Sequence, residues 1–135
     1  MILIMGYPNA GKTTYSKKYD NVIHLDDYPK SKFDNCNKFI QTIDEDVVVE
    51  GIYNLQTRRE DLLNTVKNKD YKNICIWLDV PIEECIRREN TYRGRGEHLV
   101  KKNVRTFQPP TYDEGWDEIY IVRNGKKELL PKEDK

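Results

Sequence analysis

Five short apolar runs punctuate the chain: Ile2–Met5, Val22–Leu25, Val47–Val49, Ile74–Leu78 and Ile119–Val122. They are rich in β-branched residues and nearly uninterrupted, the pattern of parallel strands covered on both faces. Between them, apolar residues recur every three or four positions. One stretch holds Phe33, Cys36, Phe39, Ile40 and Ile43; the next Leu62, Leu63 and Val66; then Ile82, Cys85 and Ile86; then Val100, Val104 and Phe107. Each set can press one helix face onto a sheet. With a further helix starting near Gly11, the order reads β-α-β-α-β-α-β-α-α-β. It predicts a three-layer α/β domain: a parallel sheet of about five strands, right-handed crossovers and helices on both faces.

Helix ends are legible as well. Pro81 suits a first helical position. Glu83 and Glu84 fall in the first turn of that helix and Arg87 and Arg88 in its last, which matches the helix dipole. Tyr92-Arg93-Gly94-Arg95-Gly96 then reads as a mobile basic loop, part of a lid over residues 90–98. The 135 residues fit one domain, spanning 1–130, with a solvated tail over 131–135.

Charge narrows the function classes. Acidic and basic residues balance at 23 each, which argues against a protein that coats nucleic acid over its whole surface, though not against a local basic groove. The first core strand starts at the N-terminus, leaving no expected room for a leader. No apolar run approaches the roughly 20 residues of a membrane span. Cys36, Cys75 and Cys85 have no metal-ligand spacing and read as buried, reduced thiols, so a cytoplasmic protein is expected.

The candidate chemistry begins at Gly6-Tyr7-Pro8-Asn9-Ala10-Gly11-Lys12-Thr13, a complete G-x-x-x-x-G-K-[ST] signature placed directly after the first strand. Strand, loop and helix in this order aim backbone N–H groups and the helix dipole at one anion. Gly6, Pro8, Asn9, Ala10, Gly11, Lys12, Thr13 and Thr14 are the expected nucleotide-binding residues, with Lys12 reaching the β/γ-phosphates and Thr13 holding Mg²⁺. In a parallel sheet, ligands gather outside the carboxyl ends of the strands. The second run ends in His24-Leu25-Asp26-Asp27, so a carboxylate there faces the phosphates. It can take a proton from an attacking hydroxyl or bind Mg²⁺ through water. Strand alternation allows only one of the two acids to do so. Val47-Val48-Val49-Glu50 resembles a Walker B strand, with Glu50 a candidate for the Mg²⁺ shell or for pairing with a phosphate-loop group; a cap for the next segment is the other option. Arg58 and Arg59 follow on a helix, where arginines are mostly solvated. Residues 87–105 carry Arg87, Arg88, Arg93, Arg95, Lys101, Lys102 and Arg105 against Glu89 and Glu97. Arginines on a Gly-hinged lid can neutralise a transferring phosphoryl group and exclude water. His24 and His98 have no partner pattern and receive no role.

On these residues, the chain resembles the kinase domain of polynucleotide 5′-kinases, including the kinase half of kinase-phosphatase repair enzymes. The resemblance covers Gly6–Thr14, Val22–Tyr28, Val47–Arg59 and Leu78–Arg95. Its most specific piece is Phe107-Gln108-Pro109-Pro110-Thr111-Tyr112-Asp113-Glu114-Gly115-Trp116, leading into the last strand. It implies a P-loop kinase using ATP and Mg²⁺, with Asp26 as general base, Lys12, Arg88, Arg93 and Arg95 in catalysis, Glu50 and Arg59 as further substrate or Mg²⁺-shell residues, and a 5′-hydroxyl end of DNA or RNA as acceptor. The chain departs from the family at Leu25, where an Arg precedes the aspartate, at Pro29, and at Glu50-Gly51-Ile52-Tyr53-Asn54. These positions bear on the acceptor. Two alternatives stay open: a kinase for a small metabolite such as a nucleoside or sugar, and a non-catalytic nucleotide-dependent binding module.

Overall fold

A computed structural model describes residues 1–132. Six strands, β1 (Ile2–Gly6), β2 (Val22–His24), β3 (Val48–Gly51), β4 (Ile74–Leu78), β5 (Glu118–Arg123) and β6 (Lys126–Leu129), form one sheet. The helices are α1 (Lys12–Ser16), α2 (Lys32–Gln41), α3 (Gln56–Thr65), α4 (Ile82–Arg88) and α5 (His98–Thr106). Strand order is β2-β3-β1-β4-β5-β6. The first five are parallel, with Leu3 opposite Val49 and Cys75, and Ile76 opposite Tyr120. Because β1 lies at the centre, the loop leaving its carboxyl end emerges where the chain reverses its direction of winding. That is the topological switch point of an open α/β sheet.

Alternation along the central strands feeds two cores. Leu3, Met5, Ile23, Val49 and Cys75 pack with Ile40 of α2 and with Leu62 and Val66 of the α3 segment. On the opposite face, Ile4, Ile76 and Leu78 meet Ala10 and Tyr15. Burial of both faces explains why these strands read as continuous apolar runs. The three cysteines are buried and free.

The observed sheet exceeds the expected five strands by β6, which pairs antiparallel with β5. Its residues Lys126-Lys127-Glu128-Leu129 are all exposed, so it carries no apolar run. The turn before it does hold a signal. Asn124 and Gly125 both take positive φ (50° and 77°), the Asn-Gly pair favoured in tight hairpins. The stretch expected as a loose basic loop is also more ordered: α4 continues into a π-helical turn over Glu89–Arg93, closed by Gly94 at φ 68°. Of the expected tail, Pro131 and Lys132 are exposed, and residues 133–135 lie outside the described residues. Among the described residues no helix is long and apolar enough to cross a membrane.

Candidate active site

β1 delivers the phosphate loop by close packing. A Cβ on Gly6 would sit 2.9 Å from the Leu78 carbonyl oxygen, so only glycine lets the loop leave this close to β4. Asn9 and Gly11 take positive φ (68° and 94°), which curls the backbone before α1 begins. Pro8–Thr14 line a cleft of about 1130 Å³, and Gly6, which is buried, does not. Lys12 folds back across the loop, donating from Nζ to the Tyr7 carbonyl at 2.8 Å and the Gly6 carbonyl at 3.2 Å. Burial lowers its pKa to about 8, against the opposing pull of Glu50 and Asp26. A desolvated cation held by two backbone carbonyls, with carboxylates and the Arg93 guanidinium further off, can accept an anion in their place.

The far wall comes from β2 and β3. Asp26 sits in a 3-10 turn (Leu25–Asp27) that follows β2, and it lines the cleft together with Lys12. Asp27 does not line it. The turn, not strand alternation, separates the two acids: Leu25 points into the core and is fully buried, which leaves Asp26 at the rim. Asp26 is exposed, with Lys32 Nζ at 3.4 Å. Glu50, at the end of β3, is 5% exposed and also lines the cleft. His24, opposite it in register, donates from Nδ1 to Glu50 Oε1 at 2.7 Å. His24 therefore has a partner that its isolated place in the sequence hides. The signal that could have revealed it is that β2 and β3 end together.

The arginines divide into distinct roles. Arg88 donates to the Asn9 carbonyl at 2.8 Å and to Glu84 at 3.0 Å, so it supports the loop backbone from α4. Arg95 is bound to Glu89, NH2 to Oε1 at 2.8 Å. Arg93 lines the cleft, has no ion pair among the described residues, and its charge acts on Lys12. Arg59 must be removed from the site. It is fully buried, and its five donors are consumed by Glu114 (2.7 and 3.0 Å), the Tyr53 and Asn54 carbonyls (2.6 and 3.2 Å) and the Pro109 carbonyl (3.3 Å). The expectation of a solvated or substrate-facing arginine fails because α3 packs that side of the helix against the segment 109–116. Glu114 also accepts from Trp116 Nε1 at 3.1 Å, and Gly115 turns the chain at φ 119°. The Phe107–Trp116 segment is thus a structural clasp.

No family model matches the chain. In sequence it is similar to an L-seryl-tRNA(Sec) kinase of Methanococcus maripaludis, 24% identical over 143 residues, which covers 87% of this chain and 56% of that protein. The chain therefore spans little more than half the length of that curated relative. In three dimensions it is similar to a gluconokinase from Sinorhizobium meliloti 1021 (TM-score 0.65, 16% identity, 90% of this chain and 80% of that one). It is also similar to Kti12 from Chaetomium thermophilum, solved in complex with ADP-AlF3 (TM-score 0.67, 14% identity, 90% and 87%). The fold is that of the P-loop kinases, a three-layer α/β domain with a phosphate loop at the switch point.

Proposed function

We propose that the protein is an ATP-dependent kinase that phosphorylates the hydroxyl of a small metabolite such as a sugar or nucleoside. The observation that carries this reading is that Lys12 and Asp26 border one cleft. Lys12 provides a buried positive charge for the phosphates, and Asp26 provides a carboxylate at the rim, where an acceptor enters. In the proposed reaction the acceptor oxygen bonds to the γ-phosphorus, the bond from that phosphorus to the β,γ-bridging oxygen breaks, and Asp26 takes the hydroxyl proton. Arg93 and Lys12 offset the charge that spreads over the phosphoryl oxygens. Among the described residues no three His, Cys, Asp or Glu side chains converge as a metal cage, which fits Mg²⁺ carried mainly by phosphates and water. Thr13, and Glu50 through water, would hold it, and it would supply Lewis-acid charge stabilisation.

Two features favour a small acceptor. The family position before the aspartate is here Leu25, which is buried in the core. The gluconokinase has the same fold. A 5′-hydroxyl end of DNA or RNA is the second reading, favoured by the basic lid and by the sequence similarity to a kinase named for a tRNA-borne serine. Labelled ATP incubated with sugars, nucleosides, seryl-tRNA and 5′-hydroxyl oligonucleotides separates them. Label on sugars or nucleosides is the expected result. Label confined to oligonucleotides or tRNA overturns the small-acceptor reading, and nucleotide binding with no labelled acceptor supports a binding module.

A further inference from the structure

We propose that Glu89 is a positioning residue that fastens the lid to the phosphate loop, so that Arg93 is presented to the phosphates while Arg95 serves as the tether. The proposal rests on the kinase reading above. Glu89 lies where α4 passes into the π-helical turn, and its side chain is fully buried. Its carboxylate meets four donors. Oε1 accepts from Asn9 Nδ2 at 3.0 Å and Arg95 NH2 at 2.8 Å, and Oε2 accepts from the Arg95 backbone N–H at 2.8 Å and Arg95 Nε at 3.3 Å. Asn9 belongs to the phosphate loop and Arg95 to the lid, so one carboxylate joins two segments that both border the cleft.

The surrounding bonds make the junction stiff. Asn9 Nδ2 also donates to the Cys85 carbonyl at 3.3 Å, and the Asn9 carbonyl accepts from Arg88. Asn9 is therefore held by three residues of the α4 segment, in a left-handed backbone conformation that asparagine adopts more readily than most residues. On the lid side, the Gly94 N–H donates to the Glu89 carbonyl at 2.7 Å, closing the turn that carries Arg93. The π-helical turn that ends α4 carries Arg93 as its last residue, the lid arginine without an acidic partner among the described residues. A buried carboxylate bound by an arginine is costly to break from one side, because the remaining charge stays desolvated. Glu89 and Arg95 thus fix the lid to the phosphate loop through contacts within the chain itself, so its ordering cost need not be borne at the moment of reaction.

Trypsin sensitivity of the Arg93–Gly94 bond and turnover, measured on wild type, Glu89→Gln, Arg95→Gln and the double variant, test this. The first readout needs no substrate and so stays informative if the kinase reading fails. An amide at 89 cannot satisfy four donors, so Glu89→Gln should open the lid and raise the cleavage rate about tenfold or more at unchanged far-UV circular dichroism. Arg95→Gln, on a half-exposed side chain, should do the same, and the double variant should add little to either. On the acceptor that wild type labels, Glu89→Gln should lower kcat about tenfold more than it raises KM for ATP. In an Arg93→Ala background it should have almost no further effect on kcat. Equal cleavage in wild type and both single variants overturns the tether. Faster cleavage with unchanged kcat in an active enzyme would make Glu89 a purely structural residue. If Glu89→Gln does not fold, Arg95→Gln alone decides by the same two measures.

Discussion

Replacing Arg59 with Met isolates what the buried pair with Glu114 does. Arg59 is fully buried and makes a bidentate contact to Glu114 as well as bonds to three carbonyls. Removing the guanidinium leaves a carboxylate with no counter-charge in a dry environment. Its remaining protein donors are the Thr111 N–H at 3.1 Å and the Trp116 indole at 3.1 Å. Breaking a buried pair from one side costs about 3–5 kcal/mol. For a domain whose total stability is roughly 5–15 kcal/mol, that loss is a large fraction. In urea, with a slope near 2 kcal/mol/M, the midpoint should fall by about 2 M. Arg59→Met/Glu114→Leu removes both charges and should recover part of the loss, leaving mainly the cost of the orphaned carbonyls and the indole. At 4 °C, the fraction of Arg59→Met that remains folded should retain its specific activity, because no Arg59 atom faces the cleft. A midpoint shift below about 0.5 M, or a fall in kcat at unchanged midpoint, would refute the structural assignment and return Arg59 to the chemistry.

Asp26→Asn should bind nucleotide with wild-type affinity in a calorimetric titration and lose about 10²–10⁴-fold in phosphoryl transfer; normal turnover would dismiss it as the base. Burial holds the Lys12 amine at about 8, and bound phosphates favour its charged form. Nucleotide affinity should therefore be flat up to pH 8 and fall about tenfold for each unit above it, until the pKa of the complex is reached. Lys12→Arg stays charged across this range, so a slope in Lys12→Arg equal to that of wild type would place the titration elsewhere. Gly51→Ala would set a Cβ 2.6 Å from Leu25 Cβ and 2.9 Å from Leu25 Cδ2. Overpacking there should cost about 1–3 kcal/mol and, by moving the residue before Asp26, depress transfer more than nucleotide binding; wild-type melting and kcat would show that the turn yields freely.

Much of the fold was legible because its signals are local. The five apolar runs became β1 to β5 within a residue or two, and each amphipathic stretch became a helix. The phosphate loop could be placed from the strand before it, and Asp26 from the rule that a parallel sheet gathers ligands at its carboxyl ends. β6 was missed because an exposed edge strand needs no apolar residues, although Asn124-Gly125 marks its turn. The lid was expected to be loose because two glycines stand among arginines. Its order comes from Glu89, a residue that in sequence is only a minor acid in a basic stretch.

Local pattern alone determined which segments are strands and helices, where the glycines must bend the chain, and that one end of the sheet carries a phosphate loop and an acid. Tertiary structure decided the fate of each charge. Arg59 meets Glu114 across 55 positions, Glu89 meets Asn9 across 80, and His24 meets Glu50 across 26. A charged side chain reads the same in sequence whether it ends in water, in a buried pair or against a substrate. Its solvation and partners are set by elements far apart along the chain, and only their packing tells these outcomes apart.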